Sequence, residues 1–362
     1  MRFPVSALAI AMLAWVHAAP AEAYTVQTGF TEGCHERITA EAFVAFVDDP
    51  AWAEVVVPES GTWRKLGLPL NEWLVDEGLV EEALPDPQLF VLFSLIVGVR
   101  APDTRGRSAT DLATQRSIHA SPDPEAQYVH ALRAPEDDEP DGSDAAVMGT
   151  RASIRRFFSE AAAAARAPSD AQISEAPFTI DFYDLFQVET WRPAFLLGKA
   201  LHTLQDSFSH SIRADALDFR MIVHVLNYVD AIYKDFRESR DGIAHSRHLD
   251  RCDEADLGAL REAVDLATED FFETFLQARA GDTTAIDDLL DNWVTLQEGC
   301  TFENDFCDNG AGVAVARQDP TDPILPEWMT CSASVEPVAG AWAWFAGWSV
   351  LLALAGRRRR RG

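Results

Sequence analysis

Positive charge is scarce in this chain. Lys and Arg number 30 against 58 Asp and Glu, for a formal charge of −28 over 362 residues. Leaving out the five arginines at 357–361, the charge of the remainder deepens to −33. Such a surface repels nucleic acid and anionic lipid except where a bound cation reverses the local field, so no nucleic-acid-binding face is expected. Alternating apolar–polar runs of the strand type are nearly absent, which argues against a sheet-built fold. Cysteine is sparse as well, with only Cys34, Cys252, Cys300, Cys307 and Cys331.

What is present begins at the ends. Met1 and Arg2 precede an apolar stretch from Val5 to Val16 and a small-x-small signature at Ala21-Glu22-Ala23. This reads as a signal peptide over 1–23, so the protein is expected to be exported. Near the other end Val338–Ala355 is apolar and is followed at once by Arg357–Arg361. An apolar span meeting a positive stop predicts one transmembrane helix over 338–356, with 357–362 as a basic cytoplasmic tail. Between them lie an expected domain over 24–320 and a linker over 321–337 that carries Cys331. The expected location is therefore the cell surface, anchored in the membrane by the C-terminal segment.

In an exported protein the cysteines are expected to pair. Four lie in the folded region, and Cys300 with Cys307 and Cys34 with Cys252 is the pairing we expect. The second bond would hold His35 near His245 and His248. Apolar residues at three and four spacing predict helices over Glu36–Val47, Gln88–Val97, Ala152–Ala165, Pro193–Ile212, Phe219–Phe236, Leu257–Ala278 and Ile286–Leu296, hence an all-α, multi-helix fold. Pro193 suits a first turn and Gly281 a stop. Two long irregular segments, Arg100–Asp144 and Asn304–Trp328, interrupt the helices. The first holds His119 and His130, and we read it as functional.

The most informative stretch is Leu197–Ser211, LGKALHTLQDSFSHS. His202, Asp206 and His210 step by four residues and so stay within ~80° of one another on one helix face. Leu197, Ala200, Leu201, Leu204 and Phe208 flank that stripe, which predicts a helix buried on several sides. Buried histidines and carboxylates need partners, and a metal cluster or an internal polar network would supply them. The other histidines of the mature chain are His35, His119, His130, His224, His245 and His248.

On LHTLQDSFSH the chain resembles the zinc-dependent phospholipase C and fungal nuclease superfamily, and the Gln before Asp with Ser before His is similar to its heterokaryon-incompatibility C branch. The resemblance implies an all-α secreted hydrolase with two or three zinc ions. It implies that Asp206 bridges two zincs, that His202 joins one of them and that His210 belongs to the third. His35 takes the place of the early family histidine, and Tyr24 that of the terminal residue whose amine and carbonyl are ligands. A further Asp and His precede the central helix in the family. His130 suits the histidine, and Asp111 and Asp123 compete for the aspartate. The family's later His with Glu four residues on has no direct counterpart: His224 is followed by Tyr228 at that position, and His245 with Asp250 is the substitute pair. The tail with Cys331, an apolar helix and an arginine run resembles the sorting tail of many myxobacterial surface proteins, which implies a sorting protease and lipid attachment near the cysteine.

These features imply a surface-anchored, metal-dependent phosphoesterase of phospholipase C type, acting on a phospholipid or other phosphodiester with a zinc-bound hydroxide. The alternative is a zinc-stabilised surface or adhesion protein without catalysis, motivated by the departures at the family's Glu and Asp positions.

Overall fold

A run of large apolar residues from Leu89 to Val99 dictates the centre of the molecule. In the computed structural model every residue from Leu89 to Arg100 is buried, so this helix is apolar all round and is enclosed by its neighbours. The structure describes residues 34–59, 61–104, 121–179, 185–232, 235–251, 254–282 and 284–320. All fall within one compact unit, Glu22–Cys331.

The helices that build the unit are α1 (Cys34–Ala45), α2 (Thr62–Asp76), α3 (Asp86–Thr104), α4 (Pro124–Val129), α5 (Gly142–Ala165), α6 (Arg192–Ser209), α7 (Gly258–Ala280), α8 (Ala285–Trp293) and α9 (Gly310–Ala316). Helix α6 packs against α3 on one side and α5 on the other, with α1 and α7 closing the bundle. The α3–α6 crossing is unusually close. A Cβ placed on Gly198 would lie 2.4 Å from the Leu95 carbonyl oxygen and 2.8 Å from Gly98 Cα, so the two backbones touch glycine to glycine.

The expectation of an all-α fold is corrected here. The described residues are 61% helix but also 11% strand, in two sheets. Strands β1 (Ile173–Thr179) and β2 (Leu185–Trp191) form an antiparallel hairpin with Ile173 opposite Trp191. Its apolar alternation is Ala176 and Phe178 on one strand and Phe186 and Val188 on the other, two residues apiece and too short to register as a pattern. The hairpin nevertheless starts two helices. Glu189 Oε2 accepts from Thr62 N (2.9 Å), capping α2, and Trp191 N donates to Ser94 Oγ (2.8 Å), fixing the start of α6 on α3.

The second sheet orders β3 (Ser211–Arg213), β4 (Met221–Val225) and β5 (Thr295–Leu296), antiparallel then parallel. It overturns the helix expected over Phe219–Phe236 and shortens those expected over Pro193–Ile212 and Ile286–Leu296. The physical cause is the run Ile222, Val223, Val225: β-branched side chains buried on both faces, which periodicity alone does not separate from a buried helix. Beyond β4, Asn227 pairs with Arg133 on one side and Ala244 on the other, so the irregular segments carrying His130 and His245 are laid against the end of α6. Among the described residues no helix is long and apolar enough to cross a membrane. The expected signal peptide over 1–23, linker and Cys331 over 321–337, transmembrane segment over 338–356 and tail over 357–362 lie outside the described residues.

Candidate metal centre

Every residue of α6 from Ala200 to Ser209 is buried, and its His202–Asp206 stripe faces inward. His202 Nε2 lies 2.9 Å from Asp206 Oδ2, and His130 Nδ1 lies 3.1 Å from the same oxygen. The two imidazole nitrogens are 3.1 Å apart. Asp103 Oδ1 completes the group at 3.7 Å from His130 Nδ1 and 3.8 Å from His202 Nε2. Ligands 2.0–2.1 Å from a tetrahedral ion stand ~3.3 Å from one another, so the two imidazole nitrogens and Asp206 Oδ2 have the spacing of one coordination shell, with Asp103 Oδ1 in reach of both histidines.

Asp206 faces a second group as well. Its Oδ1 lies 3.1 Å from His35 Nε2 at the start of α1, while Oδ2 serves His202 and His130. One carboxylate thus presents one oxygen to His35 and the other to His202 and His130. His210 stands just past the end of α6, where its backbone N still donates to the Asp206 carbonyl (2.8 Å). Leaving the helix there brings its Nε2 to a third group, while Nδ1 stays 3.9 Å from Asp206 Oδ2. His210 Nε2 and His245 Nε2 each lie 3.1 Å from one oxygen of Asp250. His210 Nδ1 donates to the His130 carbonyl (2.5 Å), which fixes the ring so that Nε2 points at Asp250.

Three groups can thus hold a metal ion: His35, His202 and Asp206; Asp103, His130 and His202; His210, His245 and Asp250. The donors are imidazoles and carboxylates without a thiolate. The electrostatics fit cations. Burial opposes charge on Asp206, yet His202, His210 and His35 outweigh it and hold the carboxyl well below its usual range. Burial likewise pulls His35 and His210 down, but Asp206 beside both holds each up at about 9. Asp250 is lowered against burial by His245 and His210. The centre is built to keep positive charge inside, and protons and metal ions compete for it.

His35, His130, His202, Asp206, His210, His245 and Asp250 are therefore brought together. Asp103 was missed. It follows Pro102 in a segment read as loop, and in the structure it lies in the last turn of α3, five residues past the glycine crossing. The two aspartates weighed in its place do not serve: Asp123 is the N-cap of α4, accepting from Glu125 N (3.2 Å), and Asp111 lies outside the described residues. His224 is also corrected. It sits in β4, where Ile243 N donates to its Nε2 (3.0 Å), so Nδ1 carries the proton and donates to Ser143 Oγ (3.1 Å). Both ring nitrogens are spent, and burial with Arg133 nearby pushes its pKa well below the usual histidine range. His248 pairs with Asp256 (3.1 Å).

Cys300 and Cys307 form a disulfide. Cys34 is disulfide-bonded, and its sulfur lies 3.8 Å from the Asp250 carbonyl oxygen, two residues before Cys252 in the chain. Tyr24, His119, Cys252 and Cys331 themselves lie outside the described residues.

Comparison with protein-family models, with curated proteins and with solved structures found no match to this chain.

Proposed function

We propose that this protein is an exported, surface-anchored metal-dependent phosphoesterase of the phospholipase C type, holding two or three zinc ions and hydrolysing a phospholipid or related phosphodiester. The observation that carries this reading is the shared carboxylate of Asp206, with one oxygen toward His35 and the other toward His202 and His130. The donor set suits zinc, which is held by imidazole nitrogen and carboxylate oxygen. Asp103, His130, His202 and Asp206 would hold one ion, His35 and Asp206 a second, and His210, His245 and Asp250 a third. Paired zinc supplies activated water near neutral pH and neutralises phosphoryl charge. The chain's own part is to hold the ligands rigidly: Asp206 sits in the fully buried half of its helix, His210 is oriented by the His130 carbonyl, and the α3–α6 backbone contact sets the place of Asp103.

The reading of a zinc-stabilised surface protein without catalysis drew on missing carboxylates. Asp103 and Asp250 supply carboxylates in those places, which supports the hydrolytic reading. The test is purified protein assayed on bis(4-nitrophenyl) phosphate and on phosphatidylcholine vesicles, with and without chelator. Hydrolysis should need metal and return with zinc, and Asp206→Asn should lower it by on the order of 10²-fold or more while the protein stays folded. Protein that holds two or more equivalents of zinc and leaves every phosphodiester intact would overturn the proposal.

A further inference from the structure

One buried polar side chain of the central motif takes no place in the ligand groups. Gln205, beside Asp206, is fully buried and reaches into the packing of α1 and α7. Both ends of its amide are engaged. Nε2 donates to Thr39 Oγ1 on α1 (3.1 Å) and, more weakly, to Thr268 Oγ1 on α7 (3.5 Å). The Thr268 hydroxyl has already committed its hydrogen to the Val264 carbonyl (2.8 Å), so toward Gln205 it accepts. That arrangement fixes which way the amide lies: nitrogen toward the threonines, oxygen toward α1's first turn. There Gln205 Oε1 meets His35 Nδ1 at 2.8 Å. An amide oxygen only accepts, so His35 Nδ1 carries a proton whatever happens at its other nitrogen. The ring is then turned with Nε2 toward Asp206 Oδ1.

We propose that Gln205 is a positioning residue that sets the tautomer and ring orientation of His35, and through them the affinity of the ion shared by His35 and Asp206. The inference rests on the metal reading above and adds to it a residue that touches no metal. It also gives the Gln-Asp pair of the motif a physical sense. Asp206 supplies the shared carboxylate, and the preceding residue, ~100° away on the helix, reaches behind the histidine on the other side of that carboxylate. Thr39, one turn after His35 on α1, and Thr268 on α7 hold the amide from the rear. Two helices are thereby recruited to orient one imidazole.

The experiment is a zinc titration of the metal-stripped protein, read by competition with a chromophoric chelator, for wild type, Gln205→Met, Gln205→Glu and Thr39→Val. Gln205→Met keeps the shape and removes the acceptor; one zinc equivalent should bind about 10–100-fold more weakly, while the equivalent assigned to His210, His245 and Asp250 keeps its affinity. Gln205→Glu restores an acceptor and should return that equivalent to near wild-type affinity, a rescue that a merely space-filling role does not produce. Thr39→Val leaves Gln205 in place, frees its amide to turn over, and should weaken the same equivalent. Equal affinity in wild type and Gln205→Met, or a Gln205→Glu protein as weak as Gln205→Met, overturns the role of Gln205. Where Gln205→Met does not fold, unchanged affinity in Thr39→Val overturns it. Wild-type protein that takes up no zinc overturns the metal reading itself, a result distinct from all of these.

Discussion

Replacing Gly198 by alanine should cost both stability and metal. The added Cβ would stand 2.4 Å from the Leu95 carbonyl oxygen, 2.8 Å from Gly98 Cα and 2.9 Å from Val99 N. All three are backbone atoms of α3, so no side chain can rotate out of the way. Restoring an ordinary contact near ~3.4 Å requires α3 and α6 to part by about 1 Å, and overpacking of this kind costs about 1–3 kcal/mol. For a unit of this size that lowers Tm by roughly 2–10 °C. The same displacement carries Asp103, about one and a half turns beyond Gly98, away from the two histidines it now faces at 3.7 and 3.8 Å. A separation about 1 Å larger exceeds the span of one ion's ligand shell, so the ion held by Asp103, His130 and His202 should bind at least ~10-fold more weakly. Gly258 provides the control, because it also lies in a helix and a Cβ there meets nothing within 4 Å. Gly258→Ala should be neutral or stabilise by up to ~1 kcal/mol. Calorimetry and zinc titration on the three proteins decide the matter. A Gly198→Ala protein with wild-type Tm and wild-type zinc affinity would refute the argument that this backbone contact places Asp103.

In metal-free protein His35 and His210 are held at about 9, above their usual value near ~6.5, so the stability they contribute is complete below ~6.5 and is lost as pH rises through about 9. Thermal unfolding in chelator should therefore show Tm falling across that window, and zinc should flatten the fall by replacing the protons; a flat profile without metal would sink the assignment. His245→Ala should remove one equivalent of bound metal, whereas His224→Ala should leave the metal count unchanged and cost about 1–3 kcal/mol for the buried partners it abandons. A loss of metal in His224→Ala, measured by elemental analysis of the folded variant, would contradict the separation of these two histidines.

The sequence by itself determined the local half of this protein. Helical spacing placed His202 and Asp206 on one buried face, because ligands four residues apart on a helix are neighbours whatever surrounds them. Most long helices were legible for the same reason, from apolar residues at three and four spacing. What it left undetermined is where a buried apolar run chooses strand over helix, as at Met221–Val225, since both bury all their faces. Tertiary structure alone decided which distant residues meet the helix. Asp103 joins the centre because two glycines let α3 and α6 touch, and nothing in its own neighbours marks it as a ligand. His224 is excluded because the Ile243 backbone and Ser143 consume its ring, although its place in the chain suited a ligand. His210 departs from the stripe because α6 ends at Ser209, and that single turn of chain sends it to Asp250 instead of to His202. Spacing along the chain sets only what one element presents; which metal-competent group a side chain joins depends on contacts made by residues tens of positions away.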